Sequence, residues 1–211
     1  MKKAIFFDLD GTLTDSGEGI MKCAKLALEH FGIDVPGCDA LRVFVGPPLR
    51  DTFQKFGVPE DRVEEAVAKF RSRYTAIGKY ENFPYPGIPE LLAALQAKGH
   101  RLFVATSKPE TLALDVLRHF DLDKYFDQIC GASLDTSRDS KEAVIACLLE
   151  VVGGVQSVVM VGDTHYDVIG AAAHGIPTIG VAWGYGRAAD MEKAGAMAIA
   201  HSPQELLTLL T

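Results

Sequence analysis

Ala4-Ile5-Phe6-Phe7-Asp8-Leu9-Asp10-Gly11-Thr12-Leu13-Thr14-Asp15-Ser16 is the stretch from which the rest of the chain can be read. Four apolar residues run straight into two aspartates separated by one leucine, and a glycine and a threonine follow at once. A continuous apolar run closed by turn residues predicts a strand buried on both faces, from Ala4 to Asp10. Such a strand delivers its terminal carboxylates to the carboxyl edge of a parallel sheet, where open α/β folds place their ligands. Two carboxylates this close repel unless a cation or a proton lies between them. The run points to a divalent metal and to an anionic group handled beside it.

Working outward, further apolar runs predict strands at Arg101 to Thr106, Asp127 to Gly131, Ser157 to Gly162 and Thr178 to Ala182. Helical patterns separate them: Pro89 to Lys98 with Gly99 as a stop signal, Glu110 to Phe120, Ser140 to Val151, and Asp167 to His174. This alternation predicts an α/β fold with a Rossmann-like three-layer core around a central parallel sheet. Residues 16–80 break the rhythm. Ile20, Ala24, Ala27 and Phe31 share one helical face, Val63, Val67, Phe70, Tyr74 and Ile77 share another, and Gly46-Pro47-Pro48 forces a turn between them. An all-helical cap domain over 16–82 is therefore expected as an insertion between the two parts of the core, 1–15 and 83–211. Asn82-Phe83-Pro84-Tyr85-Pro86-Gly87 reads as the return linker, stiffened by its prolines.

The chain has 211 residues, 48% hydrophobic and 23% charged, enough to bury a sizeable core. A formal net charge of -7 and the lack of a basic stripe argue against nucleic acid as a partner. No apolar run approaches membrane-spanning length, and the amino terminus reads as a strand instead of a signal segment. Cys23, Cys38, Cys130 and Cys147 are scattered without a C-x-x-C pair. They read as buried small residues in a reducing cytoplasm, with no zinc site and no disulfide frame.

Four features fall at the predicted strand ends: Asp8-x-Asp10, Thr106-Ser107, Lys141 at the start of a helix, and Gly162-Asp163-Thr164-His165-Tyr166-Asp167. In a parallel sheet these ends share one edge. Carboxylates, hydroxyls and an ammonium together suit phosphoryl transfer. A carboxylate can attack phosphorus, magnesium takes hard oxygen ligands, and hydroxyls with a lysine can orient phosphoryl oxygens. Arg138 and Lys108 compete with Lys141 for the cationic role. His165 and Tyr166 lie inside the last of these runs, and the histidines show no zinc spacing. Arg50, just after the proline turn, could meet an anionic part of a substrate or pair with a surface acid.

On these motifs the sequence resembles the haloacid dehalogenase superfamily, in its capped phosphatase branch with phosphoglycolate phosphatase-like and 5'-nucleotidase-like members. The resemblance implies that Asp8 is the nucleophile and Asp10 the general acid/base. It implies that Thr106, Ser107 and Lys141 bind the phosphoryl group, with Arg50 a candidate from the cap. Mg2+ would be held by Asp8, the Asp10 carbonyl and Asp163, supported by Asp167, with Gly11 and Thr12 shaping the turn. Trp183-Gly184-Tyr185-Gly186-Arg187 resembles the loop after the last core strand in bacterial members and is expected to frame the site edge. The implied activity is a magnesium-dependent cytoplasmic phosphatase of a small phosphorylated metabolite, monomeric or homodimeric, with no nucleic-acid or membrane partner. A phosphomutase resembling β-phosphoglucomutase is the alternative, and a non-catalytic regulatory member a remote one. A dehalogenase would not need Asp10 or the later carboxylates, and no cap lysine is singled out for a phosphonatase.

Overall fold

The opening apolar run forms β1 (Ala4–Phe7), which stops short of Asp8 to Asp10. The computed structural model describes residues 2–35, 37–133, 138–153 and 157–211, with Cys38 described by its backbone alone. Along the chain follow β2 (Thr14–Asp15), α1 (Gly17–His30), α2 (Leu49–Lys55), α3 (Val63–Ala76), β3 (Phe83–Pro84), α4 (Ile88–Ala97), β4 (Arg101–Pro109) and α5 (Glu110–His119). Then come β5 (Gln128–Ala132), α6 (Lys141–Val152), β6 (Val158–Gly162), α7 (His165–Ala172), β7 (Thr178–Val181), α8 (Ala188–Ala194), β8 (Ala198–Ala200) and α9 (Pro203–Leu210). The chain divides into two compact units, residues 1–14 with 84–211, and residues 15–83.

In the first unit six strands form one sheet in the order β5-β4-β1-β6-β7-β8, and every pairing is parallel. The strands read as unbroken apolar runs because both faces are covered. Ile5, Phe7, Leu102, Val104, Val159 and Val161 point into a core shared with α4, α5 and α9. Ala4, Phe6, Phe103, Ala105 and Met160 point the other way, against α6 and α7. Phe6 and Phe103 meet edge to face at 5.5 Å. Each such fully buried side chain contributes about 1.5–3 kcal/mol by leaving water. This is the α/β Rossmann-like sheet expected from the alternation.

The second unit is helical. Ile20, Ala24 and Ala27 of α1 and Val63, Val67, Phe70 and Tyr74 of α3 are buried as their periodicity requires. Aromatic rings link the elements: Phe44 to Phe53 at 4.9 Å, Phe53 to Phe70 at 6.4 Å, and Phe70 stacked on Tyr74 at 5.3 Å. Arg73 grips Glu81 through two bonds of 2.6 and 2.9 Å, which pull the Glu81 carboxyl down to about 2.

Several expectations need correction. Ile77 is 55% exposed, because α3 ends at Ala76 and the backbone at Ile77 (φ -133, ψ -50) leaves the helical path. β4 continues to Pro109, so Thr106 and Ser107 lie within the strand and not at its end. Cys147 is only partly buried, and the side chain of Cys38 lies outside the described residues. The sheet's last strand, β8, and helices α8 and α9 carry no expectation in the reading above. Among the described residues no helix is long and apolar enough to cross a membrane.

Candidate active site

Past β1 the chain stays pinned to its neighbour, with the Asp8 amide donating to the Val161 carbonyl at 2.9 Å. It then folds back on itself. The amides of Leu13 and Thr14 both donate to the Leu9 carbonyl, and Gly11 N–H donates to the Thr14 carbonyl. Gly11 sits at φ +86, a conformation that costs a side-chain-bearing residue dearly. A Cβ at Gly11 would also lie 2.3 Å from Asp163 Oδ2. Thr12 is buried, and its hydroxyl donates to Asp163 Oδ1 at 3.2 Å.

β6 ends at Gly162, and Asp163 follows, completely buried. Tyr185 N–H donates to Asp163 Oδ2 at 2.8 Å and Gly186 N–H at 3.4 Å. The next residue, Thr164, caps α7. Asp167 Oδ2 accepts from the Thr164 amide at 3.0 Å and from its hydroxyl at 2.8 Å, while the Thr164 hydroxyl faces the amide of the third helical residue. This capping box starts α7 at His165, earlier than the expected Asp167. It also turns the other Asp167 oxygen inward. Gly162 has no room for a side chain: a Cβ would lie 2.3 to 2.5 Å from the Asp167 side chain. Gly162→Ala is expected to push Asp167 aside and lower kcat/KM about 10- to 100-fold while the protein still folds. Kinetics alongside thermal melting would check it.

Lys141 is the first residue of α6, whose amino end Ser140 caps by accepting from the Ala143 amide at 3.1 Å. The ammonium is buried. It donates to the Ala105 carbonyl at 2.8 Å and lies 2.9 Å from Asp8 Oδ1 and 2.8 Å from Asp167 Oδ1. The ammonium thus bridges the two acids as a shared cation. Burial alone would lower the Lys141 pKa, but the charges of Asp167 and Asp8 outweigh it and raise it.

Asp8, Asp163 and Asp167 each place a carboxylate oxygen within 4.8 Å of the others. Three acids against one ammonium leave the pocket short of positive charge. Burial, reinforced by Asp167, pushes the Asp8 carboxyl up to about 6 against the pull of Lys141. Burial and the charges of Asp167 and Asp8 push Asp163 up to about 8, against the amides of Tyr185 and Gly186. Hard oxygen donors and a charge deficit fit a small divalent cation such as Mg2+.

A pH dependence follows. Between the ordinary carboxyl value of 3.8 and about 8 the folded protein holds protons on Asp8 and Asp163 that the unfolded chain has lost. Stability of the metal-free protein from these groups is thus fullest at the acid end and is lost as pH rises through about 6 and 8. Melting curves in EDTA should shift downward across that window. Mg2+, which binds the deprotonated acids, should raise the melting temperature most at the alkaline end.

Asp10 takes a different place. Its carboxylate receives the buried Lys108 ammonium on both oxygens, at 2.5 and 2.6 Å. The Lys108 amide in turn donates to Thr106 Oγ1 at 3.2 Å. The carboxylate is therefore held by Lys108, and its charge adds a lesser upward push to the Asp8 carboxyl.

The haloacid dehalogenase-like hydrolase family model matches residues 5–181, the span that supplies all of these side chains. The chain belongs to this family. It is 46% identical to a 5'-nucleotidase of Pseudomonas aeruginosa, over 86% of this chain and 83% of that one. It is 46% identical to the tyrosine-protein kinase PtkA of Mycobacterium tuberculosis, over 94% of this chain and 68% of that one. A solved structure described as a predicted phosphatase from Clostridium acetobutylicum superposes with a TM-score of 0.94 at 41% identity, covering 100% of this chain and 98% of the other. The protein is a phosphatase of the haloacid dehalogenase-like hydrolase family.

The Trp183 to Arg187 loop joins the site: Trp183 Nε1 donates to the Thr12 carbonyl at 3.0 Å, and a Cβ at Gly186 would collide with the Asp163 carbonyl at 1.9 Å. Ser107 lies next to Thr106 in β4, partly buried. Arg50, on α2 of the helical unit, pairs with Glu64 through its Nε and Nη2, which lowers the Glu64 pKa. His165 and Tyr166 place their rings 4.1 Å apart at the start of α7, with Tyr166 exposed. Besides the pairing of Lys108 with Asp10, three contributions escaped the sequence reading: the Thr12 hydroxyl, the amides of Tyr185 and Gly186, and the inward oxygen of Asp167 as a full member of the acid cluster. Only the last had a signal, in the six-residue span from Gly162 to Asp167.

Proposed function

We propose that the protein hydrolyses a small phosphomonoester through an aspartyl-phosphate on Asp8, with Mg2+ as cofactor. The observation that carries this reading is the convergence of Asp8, Asp163 and Asp167 around Lys141 at the carboxyl edge of the sheet. Asp8, Asp163 and Asp167 supply acid oxygens for the cation, and the family resemblance adds the Asp10 carbonyl. When bound, the cation neutralises the acids and withdraws charge from the phosphoryl oxygens.

In the first half-reaction an Asp8 oxygen attacks phosphorus, the bond to the leaving oxygen breaks, and Asp10 gives that oxygen a proton. In the second, water attacks phosphorus, Asp10 takes the water's proton, and the bond to Asp8 breaks. Asp10 must leave Lys108 to do this, so Lys108 holds it in place between turnovers. Lys141 keeps Asp8 oriented and balances charge as the phosphoryl group arrives, while Thr106 and Ser107 face that group from β4. A phosphoglycolate- or nucleotide-like metabolite in the cytoplasm fits the family branch.

The test is a panel of phosphorylated metabolites assayed with Mg2+ and with EDTA. Activity should vanish in EDTA and return with Mg2+, and free phosphate should accumulate one for one with alcohol. Transfer of phosphate to a second sugar position would support the mutase instead. Turnover that survives EDTA would overturn the metal assignment.

A further inference from the structure

Away from the acid cluster, on the far side of β4, a second group of reactive side chains comes together. Cys130 lies on β5 and is buried, while Cys147 lies on α6 and is partly exposed. Their sulfurs are 2.9 Å apart. Arg138, in the loop before α6, donates from Nη1 to Cys147 Sγ at 3.0 Å, from Nε to the Gly131 carbonyl at 2.8 Å, and from Nη2 to Glu110 at 2.7 Å. A cation against one thiol, with a second thiol already touching it, is the arrangement of a reactive cysteine beside a resolving one. None of these four residues has a part in the phosphoryl chemistry.

We propose that Cys130 and Cys147 form a reversible redox pair that closes to a disulfide when the protein meets a peroxide. Cys147 is the attacking sulfur, because it is the one reachable from solvent and the one the guanidinium holds. Glu110 shares that guanidinium through Nη2. The Cys147 thiolate attacks one peroxide oxygen, the O–O bond breaks, and hydroxide leaves. Sulfur is oxidised to the sulfenic acid and the peroxide is reduced. The Cys130 sulfur then attacks Cys147 Sγ, the S–O bond breaks, and the hydroxide departs as water with the Cys130 proton. Burial pushes the Cys130 thiol up to about 12, so its proton passes to the departing oxygen as the sulfur attacks. The sulfurs need only draw in to about 2.05 Å. The bond would join β5 to α6, the helix whose first residue is Lys141.

The readout is the bond itself, so it stands apart from the phosphatase reading. The full-length protein is treated with hydrogen peroxide, free thiols are blocked by alkylation, and the unreduced digest is mapped by mass spectrometry. A Cys130–Cys147 linked peptide should appear, vanish on reduction with dithiothreitol, and be absent from Cys147→Ser. In Cys130→Ser, Cys147 should stop at the sulfenic acid and be trapped by dimedone. Should either variant fail to fold, the wild-type protein decides: both thiols must escape alkylation together after oxidation. Cys147 oxidised beyond the sulfenic acid with Cys130 still alkylated, or Cys147 linked to Cys23 or Cys38, would overturn the proposal.

Discussion

Asp8→Asn is expected to abolish Mg2+-dependent hydrolysis of p-nitrophenyl phosphate, lowering kcat by at least about 10⁴-fold. The amide has the same shape but neither the charge nor the basicity to attack phosphorus. The substitution should not unfold the protein. Asp8 is buried with its carboxyl pushed up to about 6, so replacing a disfavoured charge with a neutral group removes repulsion from Asp163 and Asp167. Melting in EDTA should therefore be unchanged or slightly higher. A folded variant with full turnover would assign the attack to another group. A folded variant without turnover, and without covalent phosphate after acid quench, is the result that the mechanism requires.

Lys141→Met is the second large effect. Methionine keeps most of the stem, which runs so close to Gly170 that a Cβ there would meet Lys141 Cγ at 2.8 Å. What is lost is the ammonium between Asp8 and Asp167. Removing one partner of a buried ion pair leaves an uncompensated charge, which costs about 3–5 kcal/mol. Urea unfolding at neutral pH should show a loss of that order in EDTA and a smaller one in Mg2+, because a cation would neutralise part of the stranded charge. A loss that is the same in both conditions would mean that the acids do not hold the metal.

The core was legible because its strands are covered on both faces, so apolar runs such as Leu102-Phe103-Val104-Ala105 need no alternation to be read. β8 escaped because Ala198–Ala200 is three residues long and two of them are alanine, which gives no β-rich signal. Ile77 misled because its spacing continues α3 beyond the point where the backbone does. At the site, Asp8 and Asp163 were visible as acids after apolar strands. The pairing of Lys108 with Asp10 was not, since it joins residues far apart in the chain and a lysine is ordinarily read as a solvated surface charge. The amides of Tyr185 and Gly186 could not be read at all, because a backbone donor has no side-chain signature. The glycines around them were the nearest trace.

The sheet order has a consequence for the protein's birth. β1 takes an interior place, and its partners on either side, beginning at Arg101 and Val158, are made much later. The helical unit, residues 15–83, is synthesised whole in the interval and can collapse on local contacts while β1 waits unpaired. Asp163 then needs the amides of Tyr185 and Gly186, so a nascent chain that ends before them carries the acids without their clasp. Setting the acid cluster in place thus waits on residues made well after the acids themselves.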